Sequence, residues 1–366
     1  MKIINVVGAR PNFMKIAPLL KEMKEDNLLQ PILLHTGQHY DQSMSESFFR
    51  ELMIPEPDIY LGVGSDSHAK QVAKIMTKFE DVCLEVKPDA VLVVGDVNST
   101  MACTLVASKL GIKVIHMEAG LRSFDRSMPE EINRIVTDAL ADLLLTPSED
   151  ADRNLLHEGI AEHKIRRVGN IMIDTLFHFL PLADKRTILQ KHNLVPKNYA
   201  LVTLHRPSNV DDPDRLRSIM DALFVISDWL PVIFPLHPRT LKNLTSLGIL
   251  DNYSHKNGLI LEEALGYLDF QKLMKESKLV ITDSGGIQEE TTVMNIPCIT
   301  LRENTERPIT VELGTNELAG HDVGLLLSFA RKAIKGNWKK STIPPLWDGK
   351  TSSRAVSAIR EAFIKM

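Results

Sequence analysis

Cysteine is scarce in this chain of 366 residues, with Cys83, Cys103 and Cys298 its whole complement. They are odd in number and widely spaced, which excludes a paired zinc site or a redox dithiol and reads as small buried hydrophobes in a reducing compartment. Charge of one sign is not in excess either. The formal net charge is −4, so nothing general draws the protein to nucleic acid or to an anionic membrane, and any bound anion must be held by local groups. No apolar run approaches the length of a membrane span. The N-terminus meets Gly8 and Pro11 too early for a secretory leader, and the expected compartment is the cytoplasm. The loop after the first strand holds one glycine, Gly8, where a dinucleotide fingerprint needs three, so no nicotinamide cofactor is expected. A Gly-x-Ser-x-Gly nucleophile elbow is missing. His35 and His39 are four apart but end a strand and lack the glutamate of a metalloprotease helix. No metal is expected.

Hydrophobic content of 44% and charged content of 25% describe an ordinary soluble globular chain. Its length exceeds what one core organises, which predicts two domains. Short β-branched runs at 3–7, 31–35, 58–61, 90–94, 113–117, 143–146 and 166–168 predict strands. Helical stretches at 15–24, 44–52, 69–85, 100–110, 130–141 and 149–158 separate them. The pattern restarts with strands at 199–204, 232–236, 258–261, 279–282 and 297–301 and helices near 215–229, 270–276 and 287–293. Such alternation predicts an α/β protein with parallel sheets covered on both faces. Two doubly wound halves place the ligand in the cleft between the carboxyl ends of their strands. The polar stretch 184–197 reads as a hinge, and 352–365 as a helical tail.

Polar clusters sit where strands end. After the first strand, Arg10 stands beside a helix start marked by Pro11, placed either to meet a diphosphate or to cap neighbouring carbonyls. After the fourth, Asp96 lies at the expected switch point, with Asn98 and Ser99 reading as helix caps. Glu118 leaves an apolar strand, where a carboxylate is costly without a partner or a task. Ser127-Met128-Pro129-Glu130 fits a capping box, which alone makes Glu130 a cap. Three carboxylates from adjoining strand ends nevertheless form a reasonable acid–base set. The second half offers His205 and His237 at strand ends. It also carries Thr282-Asp283-Ser284-Gly285-Gly286-Ile287-Gln288-Glu289-Glu290, where Ser284, Gly285 and Gly286 leave backbone N–H groups to cradle phosphate oxygens. Glu289 or Glu290 favours the helix dipole or reaches ribose hydroxyls. Phe270 either stacks on a base or belongs to the core. These residues describe a two-domain cleft enzyme or binder for a nucleoside diphosphate, without naming the reaction.

The runs Gly-Ala-Arg-Pro-Asn-Phe-Met-Lys (8–15), Gly-Asp-Val-Asn-Ser-Thr (95–100), His-Met-Glu-Ala-Gly-Leu-Arg (116–122), Pro-Glu-Glu-Ile-Asn-Arg (129–134), Val-Gly-Asn (168–170), 282–290 and Thr-Glu-Arg-Pro (305–308) together resemble the non-hydrolysing UDP-N-acetylglucosamine 2-epimerases over nearly the whole chain. The resemblance implies two Rossmann-like domains in the arrangement shared with many glycosyltransferases. It places the first domain at 1–169 with a returning helix at about 350–366, and the UDP-binding domain at 170–349. It implies a cytoplasmic homodimer acting on a UDP-sugar without cofactor, nucleic acid or membrane, for surface polysaccharide precursors. Asp96, Glu118 and Glu130 match the catalytic set, with Arg10 and His205 near the diphosphate. Ser284, Gly285 and Gly286 match the phosphate loop, Glu290 the ribose contact and Phe270 the uracil wall. His237 and Arg307 complete the expected substrate-binding set. The implied reaction eliminates UDP in the anti sense to 2-acetamidoglucal and adds it back after the C2 proton returns on the other face, which needs two proton-handling groups and stabilisation of the departing diphosphate.

Two segments depart from the family's pattern. Members with an allosteric substrate site carry a Gln-His-Arg run and a later Arg-Gln pair, whereas this chain reads Gln38-His39-Tyr40-Asp41 and has no arginine in 65–71, so no substrate activator is expected. The loop 123–128 is shorter and resembles branches that include 2-epimerases of UDP-2,3-diacetamido-uronic acids. That sugar, and a hydrolysing epimerase, are the alternative readings.

Overall fold

The β-branched runs become strands in the computed structural model, which describes residues 1–38, 56–254 and 258–364. The chain divides into two units, Met1–Phe177 with Pro345–Met366, and His178–Pro344. The first contains β1 (Lys2–Val7), α1 (Arg10–Glu25), β2 (Gln30–His35), β3 (Ile59–Tyr60), α2 (His68–Val86), β4 (Ala90–Val94), α3 (Asn98–Lys109), β5 (Lys113–Met117), α4 (Pro129–Leu140), β6 (Leu143–Thr146), α5 (Glu149–His157) and β7 (Ile165–Arg167). Its strands are all parallel, in the order β3-β2-β1-β4-β5-β6-β7. β4, Ala-Val-Leu-Val-Val, is buried along its whole length, as a strand covered on both faces must be. The order reverses between β1 and β4, so the loops after these two strands part to opposite faces and leave a crevice at the carboxyl edge.

The second unit repeats the plan. After α6 (Ile171–Ala183), which spans the unit boundary, come β8 (Ala200–Thr203), α7 (Pro213–Ile226), β9 (Val232–Pro235), α8 (Pro238–Ser246), β10 (Leu259–Glu262), α9 (Tyr267–Glu276), β11 (Leu279–Thr282), α10 (Gly285–Val293), β12 (Cys298–Thr300), β13 (Asn316–Leu318) and α11 (Val323–Ile334). The sheet order is β10-β9-β8-β11-β12-β13, all parallel, with its reversal between β8 and β11. The core of this unit lies between the sheet and helices such as α7 and α11, from Val202, Leu216 and Phe234 to Ala330.

The last helix, α12 (Thr351–Phe363), belongs to the first unit. Its start is tied down by Asp174 in α6, whose carboxylate accepts the N–H groups of Thr351 at 3.0 Å and Ser352 at 2.8 Å. Just before it, Trp347 is 2% exposed and donates its indole N–H to the carbonyl of Pro147 at 3.0 Å.

The polar stretch 184–197 is not a hinge. It lies within the second unit, where Ile188, Leu189 and Leu194 are buried beside Tyr199 and Leu273. Its charged residues cover the outside of those apolar anchors. The helix expected at 44–52 lies outside the described residues. No described helix is long and apolar enough to cross a membrane.

Truncating a fully buried tryptophan removes both its apolar area and its packing partners. Trp347→Ala is therefore expected to destabilise the first unit by about 3–5 kcal/mol. A denaturation midpoint that stayed where it is in the parent protein would contradict this.

Candidate active site

In the first unit the site is built around the ends of β4 and β5. Glu118 follows β5 with a buried side chain and a left-handed backbone, φ 73°, a conformation that non-glycine residues seldom adopt. Its N–H and that of Ala119 both donate to the Leu145 carbonyl, at 3.0 and 3.1 Å, which holds the turn. The carboxylate pairs with the buried ammonium of Lys15 from α1. Lys15 thereby answers the cost of burying Glu118. Backbone strain maintained around a buried ion pair points to function rather than folding economy.

Asp96 follows β4 and is pinned from α4. Arg134 donates to its carboxylate at 2.5 Å, while the Asn133 amide donates to its carbonyl at 2.8 Å. Arg134 is 3% exposed and also pairs with Glu131 at 2.9 Å. Glu131 in turn accepts the N–H groups of Ser123 at 3.0 Å and Phe124 at 2.9 Å. Burial would raise the Glu131 carboxyl, but the Ser123 amide, Arg134 and the Phe124 amide outweigh it and hold the group below the usual carboxylate range. Asn98 and Ser99 do not cap α3, whose N-cap is Val97. Asn98 instead joins Gln71 at 2.8 Å and Asn133 at 3.3 Å, and the Ser99 hydroxyl donates to Gln38 at 2.7 Å.

The capping box expected at Glu130 does not form. Met128 is the N-cap residue without a side-chain cap bond, and the Ser127 hydroxyl donates to Asp125 at 2.6 Å. Its neighbour Glu131 holds the loop instead, so the first turn has no need of Glu130. Glu130 is exposed, one turn before Asn133 and Arg134 on the face of α4 that reaches Asp96.

The strand ends themselves are locked by His116 on β5. Its Nε2 donates to the Gly95 carbonyl at 2.9 Å, and its Nδ1 meets Asp138 at 2.6 Å. Asp138 also accepts Gly120 N–H at 3.1 Å and Arg122 at 2.7 Å. Arg10 begins α1, but its side chain lies outside the described atoms, as does all of His39. His35, buried against Phe13 and Tyr60, has its pKa lowered to about 4 by burial and serves as a core aromatic.

In the second unit the corresponding place is the β8/β11 reversal. His205 follows β8, and Asp283 follows β11 with no exposure. The Asp283 carboxylate accepts the amides of His205 at 3.1 Å and Arg206 at 2.9 Å, the Asn209 side chain at 3.1 Å, and pairs with His205 Nδ1 at 3.1 Å. Burial would raise its pKa, but the His205 ring, the Arg206 amide and Asn209 outweigh that and lower it. The His237 ring lies 5.5 Å from that of His205, and its Nδ1 accepts the Arg239 N–H at 3.2 Å as cap of α8. Burial and the neighbouring His205 lower its pKa.

Ser284 occupies the N-cap position of the nine-residue helix α10 without a side-chain cap bond, and Gly285 and Gly286 open the helix. A Cβ on Gly285 would stand 2.8 Å from Glu306 Oε1, so a larger residue would push that carboxylate aside; one on Gly286 would meet nothing within 4 Å. The helix start thus carries open space in front of aligned N–H groups. Around it Glu306 gathers Arg302 at 2.7 Å, Arg206 at 3.6 Å and Arg307 at 4.0 Å. Arg307 also pairs with Glu289 at 2.5 Å. Buried Glu290 accepts from Gln271 at 2.8 Å and Tyr267 at 3.3 Å, and burial pushes its pKa up to about 7. Phe270 is half-buried on the core beside Leu273.

Lys15, Glu131, Arg134 and Asp283 were not singled out from the sequence. Lys15 lies one helical turn from Asn12, which bonds the same strand-end region through the Val94 carbonyl at 3.0 Å, and that spacing was the available signal. Among the described residues no group of three or more histidines, cysteines, aspartates or glutamates is arranged to hold a metal ion.

A family model described as UDP-N-acetylglucosamine 2-epimerase matches residues 21–360. The chain is 42% identical over 363 residues to a UDP-N-acetylglucosamine 2-epimerase of Methanocaldococcus jannaschii, covering 97% of this chain and 98% of that one. It is 41% identical over 337 residues to a UDP-2,3-diacetamido-2,3-dideoxy-D-glucuronate 2-epimerase of Pseudomonas aeruginosa, covering 91% and 92%. A crystal structure of the Methanocaldococcus jannaschii UDP-GlcNAc 2-epimerase in complex with UDP-GlcNAc and UDP superposes with a TM-score of 0.88 over 99% of this chain and 100% of that one. A match of sequence and fold across both units leaves one conclusion: the chain belongs to the UDP-N-acetylglucosamine 2-epimerase family.

Proposed function

We propose that this protein interconverts UDP-N-acetylglucosamine and UDP-N-acetylmannosamine without hydrolysis, by eliminating UDP and adding it back. The observation that carries the reading is Glu118, a buried carboxylate on a left-handed backbone, paired with Lys15 and placed just after the strand that neighbours the one ending before Asp96. The C2 hydrogen of the sugar is not next to a carbonyl, so it becomes acidic only as the C1–O bond to UDP breaks. Asp96, Glu118 and Glu130 are the groups assigned to remove that proton and to return one to the opposite face. Lys15 pairs with the Glu118 carboxylate and offsets the cost of burying it.

The diphosphate is assigned to the second unit. His205, oriented through Nδ1 by Asp283, is assigned to the departing diphosphate together with the N–H groups at 284–286, and Arg10 is read as substrate-binding. His237 and Arg307 are read as substrate-binding, Phe270 as the uracil wall and Glu290 as acceptor for ribose hydroxyls. A cytoplasmic homodimer supplying surface polysaccharide precursors is part of the same proposal. The Pseudomonas aeruginosa relative favours a second sugar, a UDP-2,3-diacetamido-uronic acid, and assaying both nucleotides side by side separates the two.

Turnover of UDP-N-acetylglucosamine in deuterated water is expected to place deuterium at C2 of product and recovered substrate with UDP still attached. Glu118→Gln is expected to lower kcat by roughly two orders of magnitude. Retention of the original C2 hydrogen during turnover would refute the elimination route.

Glu290 supplies a pH test. Ribose hydroxyls donate to the carboxylate, so UDP binding requires the ionised form. Titrating UDP by calorimetry is expected to show affinity rising through about pH 7, with a proton released on binding below that pH. The unliganded protein follows the opposite trend. Its raised carboxyl binds a proton that the unfolded chain has lost, so this contribution to stability is full below the unfolded value of 4.5 and is lost as pH rises to about 7. Glu290→Gln should flatten both trends.

Kinetics should be hyperbolic, and the reverse reaction should start from UDP-N-acetylmannosamine alone. Gln38 and Gln71 are spent on internal bonds, Gln71 donating to the Gln38 carbonyl at 3.2 Å, and Asp66 pairs with Lys74 at 2.8 Å. Positions 39–41 lie outside the described residues. A lag abolished by added UDP-N-acetylglucosamine would show an activator site.

A further inference from the structure

Phe124, in the turn between β5 and α4, is 78% exposed, the highest value among the described large hydrophobic side chains that face solvent. Its backbone is also left-handed, φ 58°, where an aromatic residue is an outlier and glycine would be at ease. The backbone of the turn is held by two carboxylates. Glu131 accepts the consecutive N–H groups of Ser123 and Phe124, and Asp125 accepts both the N–H and the hydroxyl of Ser127, at 3.0 and 2.6 Å. Nothing in the turn's hydrogen bonding calls for an aromatic side chain. Neither packing nor backbone geometry accounts for this phenylalanine.

Its position gives an account. The carboxylate that fixes the turn is the same Glu131 that pairs with Arg134, and Arg134 fixes Asp96. The ring is therefore set in the same rigid frame as the proposed acid–base groups. In the loops after β4 and β5, among the described residues, it is the single large apolar side chain that faces solvent. A hexose presents C–H groups on one face of its ring, and an aromatic side chain is the group that packs on such a face. The other residues assigned to the sugar's end of the site, Asp96, Glu118 and Glu130, are all charged.

Taking the 2-epimerase reading as its basis, we propose that Phe124 is a specificity-determining residue whose ring packs on the C–H face of the substrate's hexose. The diphosphate and uridine do not touch it.

The test compares Phe124→Gly and Phe124→Leu with the parent enzyme, using UDP-N-acetylglucosamine and UDP. Phe124→Gly is expected to lower kcat/KM for the sugar nucleotide roughly tenfold, the scale of a lost apolar contact, mainly through KM. Its inhibition by UDP should be unchanged, and its melting temperature equal or higher because glycine suits the turn. Phe124→Leu should recover part of the loss. An unchanged kcat/KM for Phe124→Gly overturns the proposal. So does a variant whose only change is a shift from dimer to monomer in light scattering, which would make the ring a subunit contact. Should the parent enzyme not interconvert the sugars at all, the functional reading falls by itself. Calorimetry then still decides the ring's role, since loss of affinity for the sugar nucleotide but not for UDP supports it and equal affinities overturn it.

Discussion

Arg134 carries a permanent charge where almost no water reaches it. A guanidinium in such a place is tolerable only when its partners are fixed. Those partners are Asp96 at a strand end and Glu131 in its own helix. Glu131 spends its remaining capacity on the Ser123 and Phe124 amides, so one buried cation sets a helix start, a turn and a carboxylate together. Removing it would leave two acidic groups facing each other, with the turn above them unsupported. The left-handed Glu118 with its Lys15 partner, on the neighbouring strand, follows the same logic on a smaller scale.

The second unit applies the opposite charge to a similar place. There the buried fixed groups are carboxylates. Asp283 gathers the end of β8 and its histidine, and Glu306 gathers Arg206, Arg302 and Arg307 beside the start of α10. Burial alone would raise the Glu306 carboxyl, yet Arg307, Arg302 and Arg206 hold it far below the ordinary range. Cations thus place carboxylates in one unit, while carboxylates place cations and a histidine in the other.

Most strands were legible because parallel strands buried on both faces must be continuous apolar, β-branched runs. β13 escaped because it is only three residues long, Asn316–Leu318, and two of them are polar. α6 escaped because Ile-Met-Ile-Asp-Thr-Leu-Phe-His-Phe-Leu-Pro-Leu-Ala is apolar around most of its circumference and contains Pro181, which hides the helical period. At the site, Asp96, Glu118 and His205 stood out as polar residues closing apolar strands. Lys15, Arg134 and Asp283 did not, since their role lies in partners far away in sequence. Glu130 and Glu131 show the limit of local rules. A capping pattern pointed to the first, and the structure gives the work of holding the loop to the second.

The division of the chain has a consequence for its birth on the ribosome. The first unit is not complete until Pro345–Met366 has been made, because Asp174 and the Pro147 carbonyl wait for Ser352 and Trp347. Everything from His178 to Pro344 is synthesised in between. The unit begun first is therefore finished last, and its apolar surface beneath α12 stays uncovered while another whole fold is laid down. Nascent chains expose such surfaces to chaperones and to one another. Loss of a short C-terminal piece would cripple the half of the molecule that was translated earliest, leaving the half translated just before it intact.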